Sequence, residues 1–160
     1  MIDKLKLAVD LRNSKNYTES KNLMLELVQE FPEDAYINYQ CAWTFDSLGD
    51  ENGAVPYYEK AINGNLSPQD LENAYLGLGS TYRTIGKYEK SEETFLKGIA
   101  LFPENQALQT FYAMTLYNLS EHQHAMAVLL EIIAHTSSDS SVSMYQEAIK
   151  FYADKLDRTW

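Results

Sequence analysis

A small side chain recurs at positions 8, 42, 79 and 113, as Ala8, Ala42, Gly79 and Ala113, at intervals of 34, 37 and 34 residues. A period of this length, just sufficient for two helices and their turns, limits the chain to architectures built by stacking one repeated unit. Other landmarks keep the same offsets: Leu11, Phe45, Tyr82 and Leu116 follow three places later, and Ser20, Ala54, Ser91 and Ala125 form a second small position. Large side chains then recur at Met24, Tyr58, Phe95 and Leu129. Small residues let a neighbouring helix approach closely while large ones fill the gaps beside them, so each period reads as a helical hairpin. A hairpin alone cannot bury both of its apolar faces, and stacking against the next one completes the core.

Residues suited to helix ends fall between the periodic stretches. Asn16 with Glu19, Asp34, Ser67 with Pro68 and Asp70, Asn105, and Ser120 with Gln123 are positioned to cap helix starts, where a side-chain oxygen accepts a backbone N–H that has no partner in the helix. Gly49 and Gly86 supply the turn between paired helices. The Gly64-Asn65-Leu66-Ser67-Pro68 segment holds the three extra residues that lengthen the middle interval, so a longer loop is expected there. After a polar break at Ser137-Ser138-Asp139-Ser140-Ser141, the spacing of Tyr145, Ala148, Ile149, Tyr152 and Leu156 predicts one amphipathic helix over 139–158, closing the exposed end of the stack.

The pattern resembles the tetratricopeptide repeat family, whose 34-residue unit has a small residue in its eighth place, further small residues in its second half and a proline near its end. The third repeat carries the resemblance best, in Tyr75, Leu78-Gly79, Tyr82, Gly86-Lys87-Tyr88, Phe95 and Pro103, and the matching Phe31-Pro32-Glu33 and Phe102-Pro103-Glu104 end the first and third repeats. Three places depart from it: Lys15 and Ser120 stand where Gly49 and Gly86 do in the other repeats, and Gly98 takes a place usually held by alanine. The runs Gln40-Cys41-Ala42-Trp43, Pro56-Tyr57-Tyr58-Glu59-Lys60-Ala61 and Leu78-Gly79-Ser80-Thr81-Tyr82-Arg83 are similar to a small bacterial subgroup of such proteins. The resemblance implies an all-α fold, a right-handed α-α superhelical solenoid of four hairpins over 1–34, 35–68, 72–105 and 106–138 plus a capping helix at 139–158, in one domain.

It also implies a non-catalytic protein-interaction module whose first helices line a concave groove. The groove residues would be Tyr36, Tyr39, Gln40, Trp43 and Asp46 from the second repeat, Asn73, Ser80, Arg83 and Thr84 from the third, and Thr110, Met114, Tyr117 and Asn118 from the fourth, with Arg12 and Asn13 extending the row. A lining of aromatic rings with amides and arginine suits protein recognition, since aromatics bury much area at small entropic cost. Tyr39 with Trp43 is equally readable as packing between hairpins, and Asp46 with Arg83 as an ion pair across the groove. A clamp for a peptide's terminal carboxylate is disfavoured, because the places that would need Lys and Asn hold Leu5 and Val9.

Charge narrows the partner. The formal net charge of −10 disfavours nucleic acid and anionic membrane surfaces and steers toward a neutral or basic protein or peptide. Hydrophobic residues at 45% are ample for a folded core, no stretch is long and apolar enough for a membrane span, and Asp3, Lys4 and Lys6 interrupt any signal-peptide core, so a cytoplasmic address is expected. Self-association through Phe151, Tyr152 and Trp160, as a homodimeric scaffold, and an accessory role in an enzyme or signalling complex, which rests on fold analogy alone, are the alternatives to an adaptor role. The single cysteine, Cys41, reads as core packing. His122 and His124 are two apart and would point to different helix faces, a poor metal pair, and Gly77-Leu78-Gly79-Ser80 lacks the strand context of a nucleotide loop. No catalytic residue, metal or cofactor is expected.

Overall fold

A computed structural model describes all residues, 1–160. Ten helices follow one another with no strand: α1 (Ile2–Asn13), α2 (Tyr17–Glu30), α3 (Ala35–Ser47), α4 (Glu51–Ile62), α5 (Pro68–Thr84), α6 (Tyr88–Leu101), α7 (Gln106–Asn118), α8 (His122–Thr136), α9 (Ser140–Ser143) and α10 (Gln146–Tyr152). They fall into two compact units, Met1–Lys87 and Tyr88–Trp160.

In the first unit, α1 pairs with α2 and α3 with α4, while α2 packs on α3 and α4 on α5. The first helices α1, α3 and α5 also touch in succession, which puts one continuous row of first-helix side chains on this unit. The reason lies in the small residues. Ala8, Ala42 and Ala54 have no exposed surface, and Met24, Tyr58 and Leu78 lie buried around them. In the second unit α6 packs on α7, α7 on α8 and α10 on α8, with Phe95, Leu108, Ala113 and Leu116 in the core.

Four turns share one geometry. The N–H of Asn16, Asp50, Lys87 and Glu121 reaches back to the carbonyl of Leu11, Phe45, Tyr82 and Leu116, at 2.8 to 3.0 Å. Closing a helix this way requires a left-handed residue just before. Gly49 (φ 74°) and Gly86 (φ 76°) provide it in two turns, and Lys15 (φ 64°) and Ser120 (φ 66°) in the others. The two departures from glycine thus leave the turn type intact and place a side chain in a conformation that L-residues disfavour.

Three of the expected caps form: Asp34, Ser67 and Asn105 accept from the N–H of Ile37, Asp70 and Leu108. Two do not. Asn16 makes no side-chain cap, and Ser120 is consumed as the left-handed turn residue, leaving Glu121 at the start of α8. Asp50, not anticipated from the sequence, caps α4 by accepting from the Gly53 N–H at 3.1 Å.

Residues 139–158, expected as one helix, form two short ones. Asp139 caps α9 by accepting from the Ser141 N–H, and a turn at Met144 and Tyr145 separates it from α10. The expected apolar stripe is not the buried face: Ala153 is 1% exposed, whereas Tyr145, Tyr152 and Leu156 are 61%, 48% and 49% exposed. Ser140, Ser141 and Ser143 lie within α9, whose serines have poor helix propensity, and the break follows directly at Met144 and Tyr145.

Candidate functional site

In the first-helix row of the first unit, most of the candidate side chains stand on α3. Tyr36 and Trp43 are 41% and 45% exposed, while Tyr39 and Gln40, expected beside them, are 4% exposed each. Tyr39 is buried because rings enclose it: its centroid lies 6.3 Å from Tyr36, 6.0 Å from Trp43 and 6.4 Å from Tyr58. Burial pushes the Tyr39 hydroxyl up to about 12. Tyr39 is therefore the base on which the two exposed rings rest.

Gln40 is withdrawn by a different neighbour. The guanidinium of Arg12, from α1, donates to Gln40 Oε1 at 2.7 Å, to the Gln40 carbonyl at 3.1 Å and to Thr44 Oγ1 at 3.4 Å. It also lies 4.1 Å from the centroid of the Trp43 ring. Arg12 is 5% exposed, and burial lowers its pKa from the ordinary arginine value. No carboxylate is among these partners, so the charge is met by amide and hydroxyl oxygens and by the Trp43 face. The consequence is mechanical: Trp43 is held from beneath by Arg12 and from the side by Tyr39, and its outer surface stays in water.

Below Trp43 on the same helix, Asp46 is half-buried. Tyr58 donates to its Oδ2 at 2.8 Å, and Thr81 Oγ1 lies 3.1 Å from each carboxylate oxygen. Through these bonds Asp46 ties α3 to α4 and α5. Burial outweighs both hydrogen bonds and raises its pKa to about 6. On α5, Asn73 and Thr84 are exposed and Ser80 and Arg83 half-buried.

In the second unit, α7 carries Met114 and Tyr117, 39% and 65% exposed, with Thr110 and Asn118 half-buried. Tyr117 stacks 4.8 Å from His122, and His124 meets Tyr112 edge-on at 6.0 Å. The two histidines thus engage different rings. Cys41 is fully buried, and burial pushes its thiol up to about 12. No helix is long and apolar enough to cross a membrane.

The Tetratrico peptide repeat family model matches residues 35–156, and the chain belongs to that family. Superkiller protein 3 of Saccharomyces cerevisiae is 26% identical over 106 residues, 62% of this chain and 7% of that protein. Superkiller protein 3 of Schizosaccharomyces pombe is 29% identical over 57% of this chain and 6% of its own length. TPR repeat-containing protein MJ1428 of Methanocaldococcus jannaschii is 33% identical over 68% of this chain and 16% of its own length. The chain therefore spans a small part of each of these relatives. Among solved structures, a crystal structure of MamA superposes with a TM-score of 0.73 at 16% identity, covering 92% of this chain and 88% of that one. At that identity the likeness establishes the all-α tetratricopeptide solenoid fold and nothing further. A protein-interaction repeat module is the class that fold and family define.

Proposed function

We propose that the chain is a non-catalytic adaptor that docks a segment of a partner protein on the first-helix face of its first unit, with Trp43 as the anchor. The carrying observation is that Trp43 is 45% exposed yet fixed, with the Arg12 guanidinium 4.1 Å from its centroid and Tyr39 at 6.0 Å. An aromatic whose orientation is already set loses little freedom on binding, and such rings dominate interface energetics. Tyr36 extends the apolar strip, and Asn73, Ser80 and Arg83 on α5 are the polar groups that would orient the partner's backbone. Met114 and Tyr117 on α7 supply a second exposed apolar pair in the other unit. The net charge of −10 favours a neutral or basic segment in the cytoplasm.

The test is selection of displayed random peptides on the full chain, followed by affinity measurement against Trp43→Ala and Arg83→Ala. Trp43→Ala should weaken binding at least tenfold with the circular dichroism spectrum unchanged. Peptides that bind wild type and both variants equally would exclude this face.

A further inference from the structure

The segment beyond α8 holds large apolar side chains in water while packing little of itself. Met144, Tyr145, Phe151, Tyr152, Leu156 and Trp160 are 75%, 61%, 50%, 48%, 49% and 78% exposed, and Ala153 is its one buried side chain. Three of these form a single cluster. Phe151 lies 5.8 Å from Trp160 and meets Tyr152 at 5.1 Å in an edge-on contact. Lys155 Nζ sits 4.9 Å from the Phe151 centroid, and the Arg158 guanidinium 6.0 Å from that of Trp160.

We propose that this aromatic face pairs with the same face of a second copy of the chain, giving a two-fold symmetric dimer. Two observations select that occupant. The first is area. An aromatic side chain presents about 200 Å², so the exposures of the four rings sum to roughly 470 Å² per chain, and Met144 and Leu156 bring the patch toward the ~800 Å² per partner of a standard interface. A symmetric contact uses the same patch twice and needs no second apolar surface elsewhere.

The second is charge. Two copies of a chain with net charge −10 repel each other over most of their surface. Residues 139–160 are nearly balanced, with Lys150, Lys155 and Arg158 against Asp139, Glu147, Asp154 and Asp157, in a chain with 13 basic and 23 acidic side chains, so this face adds little to the repulsion. Within 154–158 the order Asp154, Lys155, Asp157, Arg158 places both signs at the edge of the rings. A two-fold axis can set the cations of one copy against the carboxylates or rings of the other. The dimer would carry two Trp43 faces and bind a two-site partner with avidity, although pairing itself does not depend on Trp43.

Sedimentation velocity of the full chain across the micromolar to sub-millimolar range tests the proposal. The expected result is a reversible equilibrium that saturates at twice 18.3 kDa. Phe151→Ser with Trp160→Ser should weaken association at least tenfold, with an unchanged circular dichroism spectrum. Lys155→Glu with Arg158→Glu, which leaves the rings in place, should also weaken it, and serves if the first variant folds poorly. Trp43→Ala should leave association unchanged, which separates this result from failure of the docking face. A monomer at every concentration, growth beyond the dimer, or an undiminished dimer in both variants would each overturn the proposal.

Discussion

The guanidinium of Arg12 lies 4.1 Å from the centroid of the Trp43 ring, joining the first helix of one hairpin to the first helix of the next. Because Arg12 is also bonded to Gln40 and Thr44, its removal does more than lose a ring contact. Arg12→Met should destabilise the fold by about 2 kcal/mol in urea titration, since Gln40 Oε1 loses a charged donor in a buried place. In a Trp160→Phe background, fluorescence anisotropy should report a more mobile Trp43. Unchanged anisotropy would mean that Tyr39 alone holds the ring.

Asp46 makes stability depend on pH. Its pKa rises to about 6 in the folded state because burial disfavours the charged carboxylate, so between the usual carboxylate range and pH 6 the folded chain binds more protons than the unfolded one. The contribution is stabilising at low pH and is lost as pH rises through about 6. Asp46→Asn removes the titration. Between pH 4 and 7, the wild-type unfolding free energy minus that of the variant should fall as pH rises. A flat difference would show that Asp46 stays charged throughout.

The repeat period was legible in the sequence because packing imposes it: Ala8, Ala42, Gly79 and Ala113 are all buried, at the recurring small place of each hairpin. The interior of the candidate site was less legible. Tyr39 and Trp43 share one helix face at the same spacing, yet one is 4% and the other 45% exposed, because Tyr58 and Arg12 from other helices decide which ring is covered. The partners of Asp46 were hidden for the same reason. Tyr58 and Thr81 belong to helices 12 and 35 residues further along, and repeat equivalence pointed to neither. The break after Ser143 was missed because a stripe of apolar residues continues through it.

Lys15 and Ser120 offer a direct way to raise stability. Each holds a positive φ at a hairpin turn where Gly49 and Gly86 hold the same conformation without a side chain. The left-handed conformation costs an L-residue roughly 1–2 kcal/mol, partly offset by the greater unfolded-state entropy of glycine. Lys15→Gly and Ser120→Gly should each add up to about 1 kcal/mol, seen as a higher melting temperature. Gly49→Ala should move it the other way.

Gly77 is constrained by contact and not by its backbone. A Cβ there would stand 2.5 Å from the Tyr58 hydroxyl oxygen and 2.6 Å from the ring carbon that bears it. The ring cannot yield freely, because Tyr58 is 3% exposed and its hydroxyl donates to Asp46 at 2.8 Å. Gly77→Ala should therefore cost about 1–3 kcal/mol through overpacking, despite the better helix propensity of alanine. Tyr58→Phe removes the nearest atom and the bond that pins the ring, so the two substitutions should combine to less than the sum of their separate costs. Chemical denaturation of the two single variants and the double variant measures this coupling. Strict additivity would show that α5 shifts away from α4 and leaves the bond between Tyr58 and Asp46 in place.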